Sequence, residues 1–207
     1  MFKDNVIVDF LDKLNSSTPT PGGGAVAALN GAEAAGLVCM VGNVTVNKQL
    51  KKETEPDKEL VKTVLVASNI QNDFLVIMDE DAKVFDELMA CYKLPNINDE
   101  QKEARKVAIQ NGCKKACQPP KKTVENGLKL LPLVKNAIFR GDKGVISDGY
   151  IAGRLIVSAI WGGIYNLMIN ISSIKDEAFC KSLSHLIDIA KKEMELFNQE
   201  VLAVCNL

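Results

Sequence analysis

A carboxylate on an apolar helical stripe is the first feature of this chain that could do chemistry. Residues 57–92 carry a helical period, and Phe74, Ile77, Phe85 and Leu88 mark its buried face. The gap between Ile77 and Phe85 is two steps of four, and its midpoint is Asp81. Met78 and Ala82 flank the same face, while Asp79, Glu80 and Lys83 are placed outward. Burial disfavours the charged carboxylate and raises its pKa, which is the tuning a general acid/base needs. The competing reading is a structural ion pair, with Arg105 or Arg154 as partner.

Three further groups join it. Gly22, Gly23 and Gly24 stand at a helix start, where free backbone N–H groups can face an anion or a ligand. No Gly-Lys-Ser/Thr follows, so this is no nucleotide phosphate loop, and loop and packing needs alone also account for it. Ser147 and Asp148 open a very apolar helix. Either residue type makes a good N-cap, and one cap leaves the other residue free for a site. Along that helix Arg154, Ser158, Gly162, Asn166 and Asn170 recur every fourth position, a polar seam on an otherwise greasy rod. A buried seam needs partners: it is either an interhelical hydrogen-bond network or the wall of a ligand groove.

Metal chemistry is poorly supplied. The six cysteines contain no CxxC pair, and the single His185 excludes HExxH and His-rich sites. Cys113 and Cys117 share a helix face but lack a second pair, so the cysteines read as small buried hydrophobes. His185, among Leu183, Leu186 and Ile187, reads as partly buried packing. The basic run from Lys114 to Lys122 is either a solvated turn or an attractor for a polyanionic ligand tail.

These groups must be positioned by helices. The 207 residues form one domain, 1–207, with 47% hydrophobic residues and a net charge of −1. That balance argues against a basic nucleic-acid binder, and 5% aromatics leave no base-stacking platform. The segments 22–46 and 145–171 are apolar enough to test as membrane spans, but Glu33, Asp148 and Arg154 favour buried helices and no membrane contact. No export signal is evident at Met1, so a cytoplasmic protein with reduced thiols is expected. Helices are predicted at 2–14, 24–47, 57–92, 98–117, 119–140, 147–171 and 176–204. Pro132 is expected to kink the fifth. Gly24, Ala28, Ala32 and Gly36, with Ala27, Gly31 and Ala35 beside them, predict close helix–helix packing. The fold class is therefore an all-α bundle of about seven helices with long central ones.

The string Ser17-Thr18-Pro19-Thr20-Pro21-Gly22-Gly23-Gly24-Ala25-Val26-Ala27-Ala28-Leu29 resembles the signature of the formimino-tetrahydrofolate cyclodeaminase / methenyl-tetrahydrofolate cyclohydrolase family. Asp81-Ala82-Lys83-Val84-Phe85, Leu94-Pro95, Gly141, Ser147-Asp148, Asn166 and Asn170 match further family segments in order. The chain departs at Asp142, where asparagine is usual, and at Leu167, where valine is common. A stand-alone form, with no transferase domain ahead of the string, is expected. The resemblance implies an all-helical homodimer that acts on a tetrahydrofolate derivative as substrate, with no metal or organic cofactor. It also implies Asp81 and Asp148 as catalytic carboxylates, with Gly22, Gly23, Gly24, Ser147, Asn166 and Asn170 binding the substrate.

Overall fold

Four long antiparallel helices carry the architecture: α2 (Gly23–Lys51), α3 (Lys58–Tyr92), α5 (Gln118–Arg140) and α6 (Ile146–Ile171). The computed structural model describes residues 1–203, and among them no strand occurs. A short α1 (Ile7–Leu14), α4 (Asp99–Ala116) and α7 (Glu177–Phe197) brace the four, and a π-helical turn, Asn198–Leu202, ends the described chain. Cys205 and the last residue of the predicted seventh helix lie outside the described residues.

Local chemistry explains the boundaries. Asp57 caps α3 by accepting from the amides of Glu59 and Leu60, Asn98 caps α4 through the Gln101 amide at 2.8 Å, and Asp176 caps α7 through Phe179. Gln101 closes the capping box onto the Ile97 amide at 3.0 Å, one residue earlier than the usual partner. Pro119 and Pro120 occupy the first positions of α5, where a missing N–H costs nothing, and the helix continues through Pro132. Past Asn47, α2 runs on through Lys48 and Lys51. Both favour a helix C-terminus electrostatically, so the charged segment extends the helix.

The N-terminus differs from the single helix 2–14. A 3-10 turn, Phe2–Asp4, breaks at Asn5, and α1 starts at Ile7. The Phe2 amide donates to Asp79, and Phe10 plugs the core, while Val6, Ile7 and Val8 stay exposed. Asp79 is thereby turned under the N-terminal segment rather than outward.

Small residues set the spacing between the long helices. A Cβ on Gly31 would lie 2.5 Å from the Phe74 ring of α3, and one on Gly162 would lie 2.5 Å from the Cβ of Ala27. Gly149 and Gly153 make room for Ile138 of α5 and for Leu202, the close approach that the sixth helix predicts. Val38, Val41, Phe74, Leu130, Val134, Ile156, Ile160 and Ile164 fill the interior with aliphatic volume. By length and composition three helices could cross a membrane (Gly23–Lys51, Lys58–Tyr92 and Lys143–Ile171), yet only 44% of the apolar window of the last is buried. Much apolar surface on α6 is therefore left uncovered.

Candidate functional site

The register of the bundle decides which candidate residues meet. Helices α2 and α3 run antiparallel: Gly24 lies against Asp81, Gly31 against Phe74 and Gly42 against Val64. Helices α2 and α6 are also antiparallel, with Gly162 against Ala27 and Asn30 bonded to Ser158 at 3.1 Å. At the far end the Asp142 amide donates to Thr45 at 2.8 Å, beyond the turn that follows α5. The bundle thus has an upper end, with Gly22–Gly24, Asp81 and Asn166, and a lower end, with Thr45, Asp142, Ser147 and Asp148.

Asp81 and the glycines come together. The carboxylate sits against the first turn of α2, where a Cβ on Gly24 would fall inside both carboxylate oxygens. Glycine lets the carboxylate sit this close to α2, because any Cβ there would push it aside. Burial pushes the Asp81 carboxyl above its ordinary value, and the Ala25 amide, one of the unpaired N–H groups of the helix start, pulls the other way without cancelling it. Among the described residues Asp81 makes no ion pair. Arg105 instead donates to the Tyr92 carbonyl at 2.8 Å, and Arg154 is exposed about a third of the way along α6. The ion-pair reading of Asp81 therefore fails. A half-buried, unneutralised carboxyl at a helix N-terminus can hold or release a proton within reach of a ligand that approaches the glycine backbone.

The polar seam is partly committed to the fold. Ser158 holds Asn30 of α2, the Asn166 amide donates to its own Gly162 carbonyl at 2.8 Å, and Asn170 donates to the Ala116 carbonyl of α4 at 3.0 Å. Asn166 lies at the level of Gly22–Gly24, and among the described residues its side-chain oxygen accepts no hydrogen bond.

Ser147 and Asp148 do not join Asp81. They lie at the α2 level of Val41, so within one chain the two carboxylates stand about 25 Å apart along the bundle at 1.5 Å per residue. Neither residue caps α6. The helix starts earlier, at Ile146, and the side-chain bond at this turn comes from Asp142 to the Gly144 amide at 2.8 Å. Asp142, the departure from the family pattern, is tied to Lys48 at 2.6 Å. That ammonium, with the Gly144 amide, holds its carboxyl below the usual range.

The remaining candidates resolve simply. Each lysine of the run 114–122 meets a carboxylate: Lys114 with Asp176, Lys115 with Glu87, Lys121 with Glu125 and Lys122 with Glu80. The run is a set of exposed ion pairs, each of small energetic weight, and not a free basic patch. His185 is exposed, because α7 turns this position away from the Leu183 and Ile187 stripe. Cys113 and Cys117 are buried, and burial pushes the Cys117 thiol up to about 11, so it stays protonated and inert. Among the described residues no three His, Cys, Asp or Glu side chains could hold a metal ion.

A cavity of about 690 Å³ opens on the opposite side of α3, under the N-terminal turn, and is lined by Phe2, Lys13, Asp79 and Lys83. Sequence reasoning missed it because the turn at Asn5 that creates it carries no periodic signal. Neither Asp81 nor Gly24 lines it.

Comparison with known proteins places this geometry. Residues 6–188 match the family model described as Formiminotransferase-cyclodeaminase. The chain is 33% identical over 181 residues to a methenyltetrahydrofolate cyclohydrolase of Methylorubrum extorquens, covering 87% of this chain and 86% of that protein. It is 30% identical to the formimidoyltransferase-cyclodeaminase of Gallus gallus over 94% of this chain but 36% of that protein, so it spans about a third of that relative's length. The crystal structure of a formiminotetrahydrofolate cyclodeaminase from Thermotoga maritima superposes with a TM-score of 0.82 at 25% identity, covering 96% of this chain and 94% of that one.

Proposed function

We propose, from the premise that the chain belongs to the formiminotransferase-cyclodeaminase family, that it is an enzyme of folate one-carbon metabolism converting 5-formimino-tetrahydrofolate to 5,10-methenyl-tetrahydrofolate and ammonia. One observation carries the assignment of the reacting end: the Asp81 carboxyl, raised by burial and unpaired, lies against Gly24 at the start of α2.

The chemistry follows from that position. N10 attacks the formimino carbon, and a tetrahedral carbon forms between N5 and N10. N10 loses its proton, and the departing amine must gain one before the carbon–nitrogen bond breaks. A carboxyl held between its two protonation states serves both transfers. Gly22–Gly24 let backbone N–H groups approach the ligand, and Asn166 presents an amide oxygen at the same level. Neither transfer calls for a metal or an organic cofactor. The same reading makes the protein a cytoplasmic homodimer.

A second reaction has a specific observation behind it. The relative from Methylorubrum extorquens, which matches over most of both chains, is named a methenyltetrahydrofolate cyclohydrolase. There water adds to the methenyl carbon, its proton is lost, and N5 departs protonated, leaving 10-formyl-tetrahydrofolate. The same carboxyl serves.

The near-ultraviolet band of the methenyl species tests both. Growth of the band from 5-formimino-tetrahydrofolate, with ammonia released, is expected of the cyclodeaminase. Faster loss of the band from 5,10-methenyl-tetrahydrofolate alone identifies the cyclohydrolase. No change above enzyme-free controls in either assay refutes the folate reading.

A further inference from the structure

The loop that joins α3 to α4 and the first half of α4 enclose a small basic cavity of about 270 Å³. Lys102, Arg105, Lys106 and Ile109 line it, and their spacing of three, one and three puts them on one face of α4. Asn96 closes the cavity from the loop, and Gln110 closes it from further along the helix. Three of these six side chains are cations and none is an acid. Ile109 packs against the core and gives the cavity an apolar floor.

The protein itself uses little of this donor capacity. The half-buried Arg105 guanidinium has five N–H donors, and its Nη2 meets the Tyr92 carbonyl at 2.8 Å. Its Nε is screened from water and donates to nothing among the described residues, and no carboxylate there pairs with the guanidinium. Lys102 and Lys106 hold Asp99 at 3.0 Å and Glu103 at 3.1 Å, each three residues earlier on the surface of α4. Exposed pairs of this kind are worth little, so both ammonium groups are free to turn to a stronger partner. The Gln110 amide oxygen, which would repel an anion, accepts from the Lys175 amide at 2.9 Å instead. The first-turn Gln101 amide is spent on the Asn98 cap, so the positive potential comes from side chains and not from the helix start.

We propose that this cavity binds a phosphate group, either free or as the monoester of a small molecule. A planar carboxylate is satisfied by one guanidinium fork and leaves two ammonium groups unused. A phosphate carries a charge of about −1.5 to −2 at pH 7 and tetrahedral oxygens. It takes donors from Arg105, from Lys102 one turn before it, from Lys106 beside it and from the Asn96 amide in the loop. The cavity lies below the roughly 300–1,000 Å³ that encloses a drug-sized ligand, so it holds a phosphate and a short organic group but no folate body. Tyr92, which Arg105 holds, is about 17 Å beyond Asp81 along α3. The phosphate site is therefore separate from the Asp81 carboxyl and independent of the folate reading.

Titration of the nitrogen-15-labelled 207-residue chain with inorganic phosphate tests this, read at the Arg105 Nε–Hε resonance. The resonance is assigned by its loss in Arg105→Lys. A saturable shift is expected, with one phosphate bound per chain in calorimetry. Arg105→Lys keeps the charge but loses the fork, and should weaken binding about tenfold. Lys106→Met alters an exposed side chain, should leave the helical circular dichroism intact and should also weaken binding several-fold. Lys121→Met, remote from the cavity, should bind phosphate as the wild type does. Glycerol phosphate, titrated in parallel, separates the two sources. Tighter binding than inorganic phosphate identifies a monoester, and equal or weaker binding identifies free phosphate.

Three results overturn the proposal. One is no shift, or a shift that sodium chloride reproduces at the same ionic strength. Another is glutamate binding as tightly as phosphate, which makes this a carboxylate site. The third is unchanged affinity in a folded Lys106→Met. Folate turnover enters none of these readings, so failure here and failure of the folate reading are told apart.

Discussion

The two ends of the four-helix bundle treat their carboxylates in opposite ways. At the lower end Asp142 is held by Lys48 and the Gly144 amide, and its carboxyl lies below the ordinary range. Asp57, beside it, is pushed up by burial, but the Leu60 amide and the Arg140 guanidinium at 3.0 Å outweigh that and leave it lowered. At the upper end Asp81 has burial and one opposing amide, and no cation. Acids that pin helix ends are neutralised by what they pin. An acid left costly and unneutralised is retained for something other than stability. The fold therefore separates Asp57 and Asp142, which pin helix ends, from the unneutralised Asp81 by position along the same helices.

The sharpest way to break that contrast is to neutralise each side. Asp81→Asn should cut turnover about 10²–10⁴-fold, the usual worth of a positioned acid/base, with helical circular dichroism unchanged. The same variant should be no less stable than wild type above the ordinary carboxylate range. A carboxyl whose folded pKa is raised binds its proton more tightly when folded, so wild-type stability declines as pH rises from the unfolded value through the folded one. Asp81→Asn lacks that decline, and thermal melts across pH should show the two curves separating over that window.

Gly24→Ala probes the same contact without touching charge. The added Cβ displaces the carboxylate, and a loss of about 10²-fold in kcat is expected from misplacement alone. By contrast, Gly31→Ala and Gly42→Ala crowd Phe74 and Val64 of α3, about two and about five turns of α2 from Gly24. Each should cost about 1–3 kcal/mol in denaturant unfolding.

Asp142→Asn should have the smallest effect and the opposite pH signature. Its carboxyl is lowered by Lys48, so its contribution is present above the unfolded pKa and lost as pH falls through the folded one. The variant should match wild type in turnover and differ from it in stability only at neutral pH, with the two curves merging in acid.

Much of this was legible in the sequence. The midpoint position of Asp81 on an apolar stripe, the order of the long helices, and the small-residue rows of α2 all follow from helical period and side-chain chemistry. What escaped was set by tertiary register. Ser147 and Asp148 look like partners of Asp81 because motif order along a chain carries no information about height along a bundle. The Lys114–Lys122 run looks like a patch because Glu80, Glu87 and Asp176 approach it from other helices. The break at Asn5 and the exposure of His185 depend on how short elements dock onto the four long ones, for which amphipathic period alone is too coarse.

Direct titration of the side-chain carboxyls by carbon-detected NMR in the unsubstituted protein tests the central claim most closely. Asp81 is expected to titrate above the ordinary aspartate range and Asp142 below it, with the pH break in turnover following Asp81. An Asp81 that titrates at or below the ordinary range, or a turnover profile that ignores it, contradicts the account.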